Sequence, residues 1–144
     1  MIDISSKVFD TIFNAVKAEG AYPNADVTTG YDETTAVFPC VVVREADNTP
    51  VRNTSTDDCA ENHARIQYEV RVYTNDKTTA KTDANRILGI VDTALAGLKF
   101  RRIRKNEPLN ISRTICCQYG LWEVVVSKPM EIGDDTVYQF YRRW

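Results

Sequence analysis

A single histidine, His63, stands in a chain of 144 residues, and that scarcity removes most metal and acid–base chemistry at the outset. The four cysteines, Cys40, Cys59, Cys116 and Cys117, contain no C-x-x-C pair. Cys59 and His63 are two potential ligands in one stretch, short of the four that a tetrahedral zinc site needs. The formal net charge is −2, so no overall field draws the chain to nucleic acid or a membrane surface. No apolar run approaches the ~18–20 residues of a membrane helix. The first residues lack the basic-then-apolar order of a secretory signal, so synthesis in a cytoplasm is expected. Glycine-rich phosphate loops, G-x-S-x-G elbows and H-E-x-x-H motifs are absent too. Thiol catalysis would need a cysteine held beside His63 with an orienting third group, and the flexible-looking stretch around Cys59 is a poor support for one. Asp57-Asp58 with Glu61 lacks EF-hand spacing. The expectation is a protein with no catalytic residues, no metal and no cofactor.

What the chain does have is a strand running straight into a helix. Over residues 64–74, Ala64, Ile66, Tyr68, Val70 and Val72 point one way and Arg65, Gln67, Glu69 and Arg71 the other, as in a strand with one buried face. Residues 75–78 (Asn-Asp-Lys-Thr) offer helix-capping side chains. The period then lengthens to a helical stripe of Ala80, Ala84, Ile87, Leu88, Val91, Leu95 and Leu98. Gly97 is placed to supply a left-handed stop, with Leu98 as its hydrophobic partner.

A first helix is expected over residues 4–19, where Ile4, Val8, Ile12 and Val16 recur every four positions and Phe9 and Phe13 widen the stripe. Residues 25–31 give a weak strand. Residues 36–45 give a strong one, apolar at Val41, Val42 and Val43 in succession, so that both faces are covered. Pro39 belongs at its beginning or at an unpaired edge. Residues 46–62 form a long polar loop between two strands, either a projecting hairpin arm or a tether, and loops beyond about 12–15 residues are uncommon in compact domains. Further strands are expected at 111–119, with Gly120 as a turn or bulge, at 122–127 and at 136–143. With 43% hydrophobic residues the chain can bury a core as one domain, residues 1–144. The fold class is α+β: a mostly antiparallel sheet with two main helices packed on one face.

Three surface features are candidates for binding. Lys99, Arg101, Arg102, Arg104 and Lys105 make a dense basic segment, with Phe100 and Ile103 as its buried positions; it can neutralise phosphates or face an acidic neighbour. Small residues Thr82, Asn85, Gly89, Thr93 and Ala96 lie on the helix face opposite the core stripe, where a glycine permits close approach at a cost of roughly 1 kcal/mol against alanine. Tyr138, Tyr141, Arg142, Arg143 and Trp144 have the aromatic-plus-arginine composition of an interface.

Several segments in order resemble the tail terminator (tail completion) proteins of long-tailed bacteriophages and prophages. They are residues 38–48 (FPCVVVREADN), residues 61–75 (ENHARIQYEVRVYTN), Ile90-Val91-Asp92 leading to Leu98-Lys99-Phe100-Arg101-Arg102, and Ile2-Asp3-Ile4 through Val8-Phe9. Residues from Gly120 onward match that pattern least. The resemblance implies helices against a sheet and a virion protein, assembled in the host cytoplasm, that closes into a hexameric ring on the last ring of the tail tube. It further implies partners in the tube protein and the head–tail connector, with Arg101, Arg102, Arg104 and Lys105 facing the tube or the DNA channel. A head-side adaptor or completion protein of the neck, and a nucleic-acid-binding module, are the alternatives.

Overall fold

The computed structural model describes residues 1–18, 21–30, 37–51, 63–132 and 135–141. Helix α1 (Ser5–Val16) starts after Asp3, whose Oδ1 accepts the Ser5 amide at 2.9 Å. Strands β1 (Asp26–Thr28), β2 (Cys40–Pro50) and β3 (His63–Thr74) follow, then α2 (Ala80–Gly97), β4 (Arg101–Lys105), β5 (Leu109–Asn110), β6 (Cys116–Ser127), β7 (Met130–Ile132), β8 (Asp135–Val137) and β9 (Phe140–Tyr141). The main sheet has the order β1-β2-β3-β6-β4, with β5 and β9 also pairing β6, and β7 with β8 form a separate ribbon.

All pairings are antiparallel except β1 with β2. Residues 29–39 separate those two strands, close to the dozen or so residues that a parallel return requires. Beyond β3, the outer margin of β6 is lined in succession by β5, β4 and β9, against residues 116–117, 120–123 and 125–126.

One apolar core lies between the sheet and both helices. Val8, Ile12 and Val16 of α1 and Ala84, Ile87, Leu88, Val91 and Leu95 of α2 meet Val41 and Val43, the alternate residues Ala64 to Val72 of β3, and Trp122, Val124 and Val126. The opposite face has a smaller apolar cluster, Cys40, Val42, Tyr73, Ile115 and Cys117, at one end. An α+β fold with helices on one face is what the sequence periodicities imply. Among the described residues no helix is long and apolar enough to cross a membrane.

Several expectations are corrected. The polar stretch after Glu45 is not loop at its start: β2 continues to Pro50, with a bulge between Glu45 and Asp47. A long partner strand supplies backbone hydrogen bonds whatever the side chains, so pairing overrides local propensity. Residues 52–62, with Cys59, lie outside the described residues. The left-handed residue after α2 is Lys99 (φ 66°), not Gly97. The Phe100 amide reaches the Leu95 carbonyl and the Lys99 amide that of Ala96, both at 3.0 Å. That is the paired closure of a Schellman end, with Phe100 as the hydrophobic partner.

Gly120 neither turns nor bulges. It lies within the uninterrupted β6, where an added Cβ would sit 2.5 Å from Cη2 of Trp122, so glycine makes room for the indole. The strand expected from 111 begins only at Cys116, because residues 111–115 form the β5–β6 turn, closed by the Ile111 amide on the Ile115 carbonyl at 2.9 Å. The single last strand is divided, β8 pairing β7 and β9 pairing β6. Phe13, expected to widen the buried stripe, is exposed and stacks on Phe9 instead, being one position off the Val8–Ile12–Val16 stripe.

Candidate interaction surfaces

Strand β4 carries four of the expected binding residues, and its register divides them. Arg102 lies opposite Trp122 and Lys105 opposite Gly120, on the helix side; Arg101 lies opposite Glu123 and Arg104 opposite Leu121, on the open side. A bulge at Ile103 causes this, since regular alternation would put Arg102 and Arg104 on one face. The same bulge leaves Ile103 exposed, contrary to its expected burial.

On the helix side the basic groups brace α2. Arg102 is 3.3 Å from Asp92, whose other oxygen accepts the Trp122 indole N–H at 2.8 Å. Lys105 donates to Asn85 Oδ1 at 3.1 Å, and Asn85 stands close to the fully buried Gln118, which donates to the Asn106 carbonyl at 2.9 Å. The basic segment is therefore not one continuous patch. Arg102 and Lys105 tie helix to sheet, while Arg101 and Arg104 belong to the open face.

The open face is a charged ladder. Arg44 and Arg71 both bind Glu69, and Arg65 approaches Glu123 at 3.6 Å. Burial pushes the Glu69 carboxyl up, but the two guanidiniums outweigh it and hold it below the usual carboxylate range. Tyr119 lies under the guanidiniums of Arg71 and Arg104, 5.4 and 6.0 Å from the ring centre, a cation–π arrangement. Among the described residues neither Arg101 nor Arg104 pairs with a carboxylate. The alternation of Arg65, Glu69 and Arg71 is legible in the sequence. That Arg44, Tyr119 and Arg104 stand beside them follows from the strand register alone.

The opposite margin of the sheet is unlike this one. Strand β1 covers only Cys40–Val42 of β2, so from Arg44 onward β2 has no further strand alongside among the described residues. Glu45 and Asp47 are exposed there, Asp26 is exposed on β1 and Asp3 ahead of α1. The one arginine on this stretch, Arg44, is held by Glu69. One margin is thus acidic and the other basic, with β3 and β6 between them.

Gly89 is exposed on α2, with nothing within 4 Å of where a Cβ would stand. It lines a shallow groove with Ala15, Arg86, Ile90, Thr93 and Ala94, where α1 and α2 adjoin. Tyr141 is exposed and tilts against His63 at 5.8 Å, whereas Tyr138 packs on the core. Arg142, Arg143 and Trp144 lie outside the described residues.

The described thiols are far from the imidazole. Cys40 and Cys117 flank Tyr73, ten positions along β3 from His63, about 33 Å at strand rise. Burial, with Asp26 nearby, pushes Cys40 up to about 11, and burial also raises Cys117. Both stay protonated at neutral pH and are poor nucleophiles. Among the described residues no group of three or more His, Cys, Asp or Glu is placed to hold a metal. No family model and no curated protein matches the chain.

Proposed function

We propose that this chain is a structural virion protein that closes into a ring on the head-proximal end of a long-tailed phage's tail tube, ends tube growth and meets the head connector. The observation that carries the reading is the pair of unlike margins on one sheet: exposed Glu45 and Asp47 on β2, exposed Arg101 and Arg104 on β4. A closed ring is built from heterologous contacts, in which each subunit offers two different surfaces to its neighbours. The tube as partner is supported by the ordered resemblance of residues 2–9, 38–48, 61–75, 90–92 and 98–102 to tail terminators.

The alternative of a nucleic-acid module is weakened by the division of β4. Phosphate-tracking grooves use a continuous basic stripe, and here Arg102 is already engaged by Asp92. The test is sedimentation across a concentration series, then electron microscopy of the protein added to polymerising tube protein. Rings, and tubes capped at one end with growth arrested, are expected. A monomer at every concentration that leaves tube length unchanged overturns the reading.

A further inference from the structure

We infer that the basic strand β4 of one copy docks on the exposed acidic stretch of β2 in the next copy, through side-chain charge pairs. The inference rests on the ring reading and adds the surfaces that close it. Arg101 and Arg104 project from the outermost strand with no carboxylate partner among the described residues, and the hydrogen-bond partner of Lys105 is the neutral Asn85. Across the sheet, Glu45 and Asp47 are exposed, and their nearest described hydrogen-bond partners are the neutral side chains Asn48 and Thr49.

Among the described residues no copy brings these charges together by itself. Strands β3 and β6 separate the two margins, about 14 Å at ordinary strand spacing, well beyond ion-pair reach. Two-fold pairing is opposed as well, since β4 on β4 sets cation against cation and β2 on β2 sets carboxylate against carboxylate. Only head-to-tail contact brings unlike charges together, which is the contact a ring repeats. Arginine and lysine on an edge strand ordinarily discourage strand addition; facing an acidic strand, they select it. Both stretches are bulged, between Glu45 and Asp47 and between Arg102 and Arg104. A regular backbone ladder is thereby interrupted on each side, and the side chains carry the contact. Other charged side chains on or beside these stretches are Asp3, Asp26 and the Glu69-bound Arg44 at the acidic margin, and Asp92, Glu107 and Glu123, which lies opposite Arg101 and approaches Arg65, at the basic one.

Two charge-reversed chains test this. The first is Arg101→Glu with Arg104→Glu; the second is Glu45→Lys with Asp47→Lys. All four positions are exposed, and circular dichroism with thermal melting verifies that each chain is folded. Each variant alone is expected to associate at least 10-fold more weakly than the parent in sedimentation equilibrium, while an equimolar mixture regains assemblies with the two chains alternating. Parent association falls as salt is raised. If both variants assemble like the parent, or the mixture recovers nothing, this pairing is wrong while the ring reading stands on another surface. A parent that never associates removes both.

Discussion

The two faces of β3 are built from the same backbone and hold together in different ways. Toward the helices, Ala64, Ile66, Tyr68, Val70 and Val72 are almost wholly removed from water. There Tyr68 meets Phe100 edge-on at 6.2 Å, and the Trp122 indole fills the space left by Gly120. Toward solvent, Arg65, Gln67, Glu69 and Arg71 are half-buried by one another, and the pairs that join them keep one partner wet. Burial of apolar area is worth ~25 cal/mol per Å², whereas exposed ion pairs contribute roughly 0–1 kcal/mol. Stability therefore resides on the covered face, and the open face adds little to it.

The sharpest way to break that division is at Trp122. Trp122→Ala removes a buried indole and leaves Asp92 without its N–H donor, and is expected to cost about 3–5 kcal/mol in denaturant unfolding. Gly120→Ala, by forcing a methyl against the same ring, should cost about 1–3 kcal/mol. Tyr119→Ala, on the other face of the same strand, should cost less than either. A larger loss at Tyr119 than at Trp122 would mean that the open face is part of the fold's support.

Gly89→Ala comes next and has the opposite sign. The site is an exposed helix interior with free space for a methyl, so the isolated chain should gain up to about 1 kcal/mol, read as a higher Tm. If α2 packs against a neighbour through Gly89, the same change lowers assembly while raising the stability of the subunit, and the two measurements separate the two roles.

The covered face was legible because its signal is local. Val8–Ile12–Val16, the alternation along β3 and the Ala84–Leu95 stripe each declare which side is buried within a few residues. The open face was half legible: Arg65, Glu69 and Arg71 alternate visibly, but Arg44 and Tyr119 join them through pairings that span dozens of residues. The division of β4 was not legible at all, because it turns on one bulged residue, Ile103, whose extra position reverses the faces of Arg104 and Lys105. Lys99 in the left-handed position escaped for a related reason. Glycine is the ordinary occupant there, and the nearby Gly97 drew the stop two residues too early. The acidic margin was hidden because the expected strand stopped at Glu45 and Asp47 read as polar loop, and only the length of β3 opposite shows that the strand runs on.

Tyr68 sharpens the contrast from within the covered face. Its hydroxyl is buried and has no hydrogen-bond partner among the described residues, and burial, with Glu45 and Asp3 nearby, raises its pKa above the ordinary 10.0. The folded state binds this proton more tightly than the unfolded chain does. Its contribution to stability is thus complete below pH 10 and is lost as pH rises above that value. Tyr68→Phe removes a desolvated hydroxyl at little cost in packing. The variant should equal or exceed the parent at pH 7 by up to about 1 kcal/mol, and should lose less stability between pH 9 and 11. Thermal melts across that range decide it, and a Phe variant that is plainly weaker at pH 7 would reveal a partner for the hydroxyl.

The smallest effect belongs to Glu69. Its folded pKa lies below the 4.5 of the free side chain, so its contribution is present above pH 4.5 and disappears as pH falls through the depressed value. Arg44 and Arg71 are 62% and 43% exposed at their side chains, and solvent screening limits what the pairs return. Glu69→Gln should cost less than about 1 kcal/mol at pH 7, with the parent and variant curves converging as pH falls below 4.5 and drawing closer at high salt. A loss as large as that of Gly120→Ala would mean that the charged ladder orders the sheet from outside, and the separation between the two faces of β3 would no longer hold.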